Sequence, residues 1–378
     1  MLAALEIPRI KALMLVTDAY GGRGGVATYT RNLIRGVCEF PGMEYVLALP
    51  RSIFYELEDT PPNLEYRTDF AGGKIKYLWK CLEICLSQRS FDLIICSHLY
   101  LLPLAWAMSI RFDCPMVPVI YGRDAWKKTP YFITNILCRK INSFISIRHL
   151  TAQRFIEWSG QSNHNYLYLP NCVDPAQFFP GDRRHDLKAK HGLKNEIVVM
   201  TAGRVDNGTD LNKGFDEIIE VLPELRKRIG NILYLIVGDG EDCDRLKKKT
   251  RDLGVDDITV FVGYVPESEK ADYYRLADVF AMPGSSSEFD RYPYRFVFLE
   301  ALACGVPVVG AEPEDEWEKK DTDKDLIIQV DPSQKKEIID GLMEALLQPR
   351  NNIEIAISKF YYAEFRNQLH KFIDKLIV

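Results

Sequence analysis

The sequence lacks any apolar run long enough to cross a lipid bilayer. Its longest runs, Leu101 to Ile110 and Pro115 to Tyr121, are far shorter than the roughly 20 residues that a transmembrane helix needs. Residues 1–10 also lack the ordered charged start, apolar stretch and small-residue cleavage site of a secretory signal. These absences predict a protein that stays in the cytoplasm, either free or peripheral on the inner face of the membrane.

The cysteine pattern of a metal site is absent as well. The nine cysteines are odd in number, lie mostly in apolar segments and show no metal-ligand spacing. This pattern predicts reduced, buried thiols and no metal centre.

The formal net charge of −5 is unevenly distributed. Residues 1–180 contain 19 Lys and Arg against 15 Asp and Glu, a balance of +4, which leaves −9 for the remainder. A basic first half suits an anionic acceptor or an anionic membrane surface, although ordinary surface variation also produces such a split.

Short apolar or β-branched runs alternate with longer amphipathic stretches along all 378 residues, which is typical of parallel sheets covered by helices. The predicted fold class is therefore α/β, and the length favours two Rossmann-like doubly wound domains. The first is predicted over residues 1–178 and the second over 179–358, with a proline- and charge-rich linker at 174–187. The tail 359–378 has helical apolar spacing and can dock on either domain. Strands are predicted at 10–17, 45–49, 93–97, 116–121, 144–147, 166–169, 197–202, 233–237, 259–262, 279–282, 306–309 and 326–330.

Glycines follow the first predicted strand. Gly21 to Gly25 lead into a helix, and the backbone N–H groups of such a turn can approach a phosphate. The loop matches neither the dinucleotide fingerprint nor the phosphate-binding loop, so a purely structural turn is an equal interpretation.

Cations follow the first strand of the second half. Gly203 and Arg204 come directly after strand 197–202, and Lys213 lies at the start of the next helix. Two cations that converge on one crevice would neutralise a diphosphate leaving group, which gains negative charge as a glycosidic bond breaks. Taken alone, two such cations are more typical of surface charges. Gly238, after the next strand, is simplest to interpret as a structural turn.

Glu300 stands within an apolar helical segment. A buried carboxylate is costly unless it accepts hydrogen bonds, and the two hydroxyls of a ribose would supply them. The alternative is a solvated helix residue.

Val265 ends another strand, where backbone groups and flat side chains can face a nucleobase or merely pack.

Taken in order, six motifs resemble the large family of retaining glycosyltransferases with the GT-B fold, commonly called family 4. The resemblance covers nearly the whole chain. It implies two domains that face a cleft, with the C-terminal helix crossing back to the first domain. The motifs are Gly24-Gly25-Val26, Leu169-Pro170-Asn171-Cys172-Val173-Asp174, Gly203-Arg204 with Lys213-Gly214, Gly238-Asp239-Gly240, Phe298-Leu299-Glu300-Ala301 and Cys304-Gly305-Val306-Pro307-Val308.

The resemblance also implies roles for individual residues. Arg204 and Lys213 would bind the diphosphate and, with Glu288, carry the catalysis, while Glu300 would bind the ribose. Donors would be UDP- or GDP-sugars, bound mainly by the second domain without an essential metal or other cofactor. The implied donor-binding residues are Gly24, Gly25, Gly203, Arg204, Lys213, Gly238, Val265, Tyr292, Tyr294, Arg295, Phe296 and Glu300.

The chain departs from the family pattern at two functional positions. The family's second glutamate, eight residues before the ribose-binding one, is Tyr292 here, and Glu288 replaces it only if the loop is rearranged. Where the family has His-Gly after a first-domain strand, this chain has Tyr121-Gly122. The histidine expected to contact the sugar is therefore absent. The candidate sugar or acceptor residues are His98, Tyr121 and Asp124.

The functional hypothesis is a retaining hexosyltransferase that uses UDP-glucose or a similar UDP-hexose in envelope or extracellular polysaccharide or glycolipid synthesis. Its partners would be the nucleotide sugar and an acceptor glycan or lipid-linked sugar, with no nucleic acid. Two alternatives remain: a nucleotide-sugar 2-epimerase, which would need paired first-domain carboxylates, and a catalytically silent nucleotide-sugar-binding subunit, which Tyr121 and Tyr292 would suit.

Residues 73–85 interleave lysines with large apolar side chains. Such a mixture is seen in helices that lie on membrane surfaces, and it predicts peripheral membrane contact. A partly buried helix of the first domain is the other interpretation.

Overall fold

The computed structural model of the protein describes residues 9–162, 166–206, 213–284, 295–313, 326–347 and 353–377. The chain folds into two compact units, Met1–Cys172 with Tyr362–Val378, and Val173–Tyr361. Each contains one parallel sheet with helices, which confirms the predicted α/β class. The predicted domain limits at 178 and 359 lie a few residues from those of the units.

The first unit is built on a seven-stranded parallel sheet with the order β3-β2-β1-β4-β5-β6-β7. Its elements are β1 (Ile10–Val16), α1 (Gly25–Cys38), β2 (Met43–Pro50), β3 (Leu64–Tyr66), α2 (Lys74–Leu86), β4 (Leu93–Cys96), α3 (Leu102–Phe112), β5 (Met116–Ile120), α4 (Phe132–Cys138), β6 (Phe144–Ser146), α5 (His149–Ser159) and β7 (Tyr166–Tyr168).

The second unit is built on a six-stranded parallel sheet with the order β10-β9-β8-β11-β12-β13. Its elements are α6 (His185–Lys190), β8 (Ile197–Ala202), α7 (Phe215–Ile229), β9 (Ile232–Val237), α8 (Cys243–Asp252), β10 (Thr259–Gly263), α9 (Lys270–Leu276), β11 (Val279–Met282), α10 (Phe296–Ala303), β12 (Val308–Ala311), β13 (Ile327–Val330), α11 (Lys335–Leu347) and α12 (Ile353–Ile357); the last helix of the chain is α13 (Tyr362–Ile377).

The strands form where the sequence is continuously apolar. β1, β5 and β9 have nearly every residue buried, because helices cover both faces of a parallel sheet. This continuity explains why most strands were predicted within one or two residues. β3 was missed, since three residues are too short to show a period.

The tail helix α13 packs on α1 in the first unit. A Cβ atom on Gly36 of α1 would lie only 2.8 Å from a methyl carbon of Leu369, so glycine permits the close approach of the two helices. The ring of His370 bonds to the carbonyl oxygen of Gly36 at 2.8 Å. The return of the tail helix to the first domain, which the family resemblance implied, is confirmed.

The segment 174–187, predicted as the linker between the domains, packs on the second unit, which begins at Val173. Phe178 is buried in the core of that unit. Arg183 pairs with Asp278 at 2.5 Å, and Arg184 pairs with Asp272 at 2.9 Å. Proline and charge are typical of the irregular stretch before α6, which begins at His185, but they could not show these distant partners.

Two expectations from composition can be compared with the described residues. Within those ranges, no helix combines the length and the apolar character that crossing a bilayer requires. All nine cysteines are free thiols, and most are buried.

Candidate functional site

In the second unit, the loops after β8, β9 and β10 continue to bond to one another beyond the strand ends. The N–H of Gly203 donates to the carbonyl of Val237 at 2.9 Å, and the N–H of Gly238 donates to the carbonyl of Gly263 at 2.9 Å. These loops lie at the carboxyl edge of the sheet, which is where doubly wound sheets bind ligands. Backbone hydrogen bonds therefore hold the three strand ends and their loops together at this edge.

Glycines at this edge allow unusually close packing. A Cβ atom on Gly238 would lie 1.9 Å from the carbonyl oxygen of Gly203. A Cβ atom on Gly203 would lie 2.6 Å from both the Cδ and the Cε of Lys213, so the lysine side chain lies directly across this glycine. The structure thus brings Gly203, Lys213 and Gly238 together, with Arg204 as the next residue in the chain.

Arg204 presents its charge at the same edge. Its side chain is 68% exposed and forms an ion pair with Asp206, a partner that the sequence analysis did not consider. A guanidinium has five N–H donors, so one carboxylate leaves donors available for a phosphate. Arg204 and Lys213 can therefore meet a diphosphate from neighbouring positions, and their binding of it stays a prediction.

Glu300 is buried, so the alternative interpretation as a solvated helix residue is wrong. It is only 4% exposed, and its carboxylate accepts a 2.7 Å hydrogen bond from the hydroxyl of Tyr274 on α9. Burial raises the pKa of Glu300, an effect that nearby Lys270 and the tyrosine oppose and nearby Glu267 reinforces.

Lys270 and Tyr274 are residues that sequence reasoning missed. Burial lowers the pKa of Lys270, but the carboxylates of Glu300 and Glu267 outweigh this, so the pKa is raised overall. The two side chains stand four residues apart on α9, the spacing of one helix face. That spacing was the available signal, but it does not reveal which residue on α10 the face meets.

The remaining predicted donor residues are placed as follows. The side chain of Val265 is buried in the core, so only its main chain or the exposed Tyr264 beside it can face a base. Arg295 donates to the sulfur of Met282 at 3.3 Å, at the end of β11, and Phe296 begins α10. Glu288, Tyr292 and Tyr294 lie outside the described residues.

In the first unit, the glycine-rich loop joins β1 to α1. Gly24 precedes the first residue of the helix, Gly25, with a φ of 93° that favours glycine. A Cβ atom on Gly24 would meet nothing within 4 Å. The guanidinium of Arg31 donates to the carbonyls of Ala19 and Gly22 at 2.9 and 3.0 Å, which fixes the loop from one side. The helix N-terminus is left open to an anion.

His98 and Asp124 lie at the carboxyl ends of β4 and β5 in the same unit and interact electrostatically. The Nδ1 atom of His98 accepts the N–H of Tyr100 at 3.2 Å, so a neutral ring carries its proton on Nε2. One carboxylate oxygen of Asp124 accepts the N–H of Gly122 at 2.8 Å. The other is buried and has no hydrogen-bond partner among the described residues.

The pKa values of His98 and Asp124 are shifted by burial and by their mutual attraction. Burial raises the pKa of Asp124 and lowers that of His98, while the attraction between the two groups opposes both shifts. Tyr121 is buried beside them, with its hydroxyl 3.2 Å from that of Thr30. The first unit therefore brings all three predicted sugar or acceptor residues to one edge of the sheet. The imidazole N–H of His98 can donate to a sugar hydroxyl, while the buried carboxylate of Asp124 interacts electrostatically with that ring. Across the described part of the chain, no group of three potential metal ligands occurs.

The chain is similar to known proteins in part of its sequence and in its fold. Residues 183–353 match the family model of glycosyl transferases group 1. The GDP-mannose-dependent alpha-(1-6)-phosphatidylinositol monomannoside mannosyltransferase of Mycolicibacterium smegmatis is 36% identical over 175 residues, 44% of this chain and 44% of that protein. Mannosylfructose-phosphate synthase of Agrobacterium fabrum is 30% identical over 185 residues, 46% of this chain and 38% of that protein. The chain thus spans less than half the length of these curated relatives.

Similarity to solved structures extends over nearly the whole chain. HepE of Anabaena in complex with UDP has a TM-score of 0.70 at 17% identity, covering 97% of this chain and 100% of that one. Sucrose-phosphate synthase from Thermosynechococcus elongatus has a TM-score of 0.73 at 15% identity, covering 97% and 99%. At these identities the likeness shows the fold, that of GT-B glycosyltransferases. Residues 183–353 thus match the family model of glycosyl transferases group 1, within a chain that has the GT-B, family 4-like fold expected from its motifs.

Proposed function

We propose that the protein is a hexosyltransferase that moves a hexose from a nucleotide-diphosphate sugar to an acceptor hydroxyl. The observation that carries this proposal is the packing of Lys213 across Gly203, beside Arg204. It places the Lys213 side chain at the carboxyl edge of the sheet, next to the position of Arg204, in the segment that matches the family. Fixed positive charge at that point stabilises a diphosphate as it departs.

The proposed reaction keeps the configuration of the anomeric carbon. The bond from that carbon to the phosphate oxygen breaks, and the acceptor oxygen forms its bond on the same face. The departing phosphate oxygen takes the proton of the acceptor hydroxyl, so no protein nucleophile is needed. Arg204 and Lys213 neutralise the diphosphate charge, and we propose that no metal or other cofactor is required.

The donor is proposed from the relatives. The sequence alone favoured UDP-glucose or a similar UDP-hexose, and a UDP complex occurs among the structural neighbours at 17% identity. The relative at 36% identity is GDP-mannose-dependent by name. Because sequence identity in the matched segment is higher there, we propose GDP-mannose as the donor, with UDP-glucose as the competing candidate.

The acceptor is proposed to be a lipid-linked sugar in envelope glycolipid or polysaccharide synthesis. The support is the name of the same relative, whose acceptor is a phosphatidylinositol monomannoside. The first unit contributes His98, which can bind a hydroxyl group of either the transferred sugar or the acceptor, with the buried Asp124 beside it.

The test is turnover with a panel of nucleotide sugars, including GDP-mannose and UDP-glucose, and a membrane lipid extract as acceptor. We expect labelled sugar on lipid, unchanged by EDTA, and a product of retained configuration by NMR. Arg204→Ala is expected to lower kcat on the order of 10²–10³-fold. Arg226→Ala is the matched control, because Arg226 is also an exposed arginine of the second unit in an ion pair, with Asp257.

Three results would contradict the proposal. Isomerisation of the donor without transfer would indicate an epimerase. Nucleotide-sugar binding without turnover would indicate a silent binding subunit. Turnover of Arg204→Ala within a factor of two of the parent would remove this residue from the catalytic role.

A further inference from the structure

The outer surface of the first unit carries an unpartnered apolar stripe on α2. The inner side of this helix is core: Tyr77, Cys81 and Ile84 are buried, and the hydroxyl of Tyr77 donates to a backbone carbonyl at 3.0 Å. The opposite side is nearly as apolar. Its exposed residues and their exposed fractions are Ile75 74%, Leu78 54%, Trp79 64%, Leu82 45% and Leu86 77%.

The spacing of these five residues shows that they form one surface. They follow one another at intervals of three, one, three and four residues, which places them along a single face of an α-helix. A helix that is apolar all round is normally enclosed on all sides. The second apolar side of α2 is exposed in the structure, so a partner outside this chain fits it.

The same helical layer exposes further apolar residues on α4. Phe132 is 77% exposed and Ile133 is 64% exposed. Helix α3 packs against both α2 and α4, and all three helices cover the same core of the first unit. Their outward sides therefore face solvent on one side of the sheet.

The surroundings of this layer are basic although the protein is acidic. Residues 74–140 contain ten Lys and Arg against four Asp and Glu, whereas the whole chain has a net charge of −5. On α2 itself, Lys74, Lys76 and Lys80 accompany a single acidic residue, Glu83. The ammonium of Lys76 donates to the carbonyl of Ala71 and keeps its charge at this surface, whereas that of Lys80 pairs with Glu83 at 2.8 Å and Asp69 at 3.8 Å. Lys74 and Lys76 therefore supply the positive charge of α2.

We propose that α2 and α4 form a docking face for a bilayer that contains anionic phospholipids. An apolar stripe with lysines at its margins places its side chains at the boundary of headgroups and acyl chains, while the lysines meet the phosphates. A second copy of the chain fits less well, because a two-fold symmetric contact would set this basic surface against itself. This inference is independent of the transferase reaction and of its donor.

Sedimentation of the full-length protein with vesicles tests the docking face. We expect binding to vesicles of phosphatidylglycerol and phosphatidylcholine at low salt, and little binding to phosphatidylcholine alone or at high salt, because the charge contribution is screened. The double variant Trp79→Ser with Leu86→Ser should bind at least about tenfold more weakly, since two large apolar side chains no longer enter the bilayer.

The chain offers a matched control for this variant. Leu347, at the end of α11 in the second unit, is 82% exposed, close to the 77% of Leu86. Leu347→Ser should bind vesicles like the parent. Because every substituted side chain is exposed, circular dichroism and the Tm should stay unchanged in all variants, which separates lost docking from lost folding.

Each opposing result overturns the inference. Absence of parent binding to anionic vesicles at low salt would do so, and so would equal binding of parent and double variant. If the parent is a dimer in sedimentation equilibrium and the double variant a monomer, without lipid present, a second copy covers the face instead. Binding that is equal on neutral and anionic vesicles would remove the role of the lysines.

Discussion

The close contact between Gly238 and Gly203 offers a sharp test of how the candidate donor site is built. Gly238→Ala would place a Cβ atom 1.9 Å from the carbonyl oxygen of Gly203, whereas real contacts of this kind start at 3.0 Å. The two loops must therefore separate by the difference. The atoms of Gly203 that the new Cβ atom would meet belong to the backbone, so no side-chain rotation can relieve the clash.

The cost has two parts. Forcing extra volume into a packed region costs about 1–3 kcal/mol. The φ of Gly238, +140°, belongs to a region that side chains rarely adopt, which adds about 1–3 kcal/mol. We expect Gly238→Ala to lower the free energy of unfolding of the second unit by about 2–6 kcal/mol in total.

Gly254→Ala separates these two contributions. Gly254 has a φ of +66°, but a Cβ atom there would meet nothing within 4 Å. This control therefore carries backbone strain alone, expected at about 1–2 kcal/mol. Urea denaturation followed by circular dichroism gives both values. Calorimetric binding of GDP and UDP should show a loss of about tenfold for Gly238→Ala and no change for the control.

Equal destabilisation of the two variants would refute the reasoning, because the close approach of the loops would then contribute nothing. Unchanged nucleotide affinity in a folded Gly238→Ala protein would show that the separation of the loops does not reach the cations beside Gly203.

Three further predictions concern individual contacts. Gly203→Ala should raise the KM for the donor about tenfold, because the new methyl displaces the Lys213 side chain, and should lower the free energy of unfolding by about 1–3 kcal/mol, because side chains rarely adopt a φ of +150°; unchanged kinetics would contradict this. Tyr274→Phe should lower the free energy of unfolding by about 1.5–3 kcal/mol, since buried Glu300 loses its hydroxyl donor; a neutral effect in urea denaturation would oppose it. Burial raises the pKa of Asp124, so this carboxyl favours folding at low pH and opposes it once the pH exceeds the folded pKa. Asp124→Asn should therefore be more stable than the parent at pH 7–8, with the advantage shrinking toward pH 4 in parallel denaturation curves; an advantage independent of pH would refute the assignment.

The sequence determined most of the local structure. Strands β8 and β11 were predicted with both of their limits correct, because uninterrupted apolar runs specify buried parallel strands. The glycines at 203 and 238 also indicate positions of close packing, since the contacts there exclude a side chain. These patterns indicate the conformation and burial of residues that are close together in the sequence. Both properties depend mainly on the few residues on either side.

The partners of the functional groups could not be predicted in this way. The bond between Glu300 and Tyr274 joins residues 26 positions apart, and His98 meets Asp124 only because β4 and β5 are neighbours in the sheet. The packing of residues 174–187 on the second unit and the exposure of the outer side of α2 also depend on the tertiary structure. In each case the sequence specified the element and its chemistry, but sheet order and helix packing decided which side chain it met, because those contacts join residues that are distant along the chain.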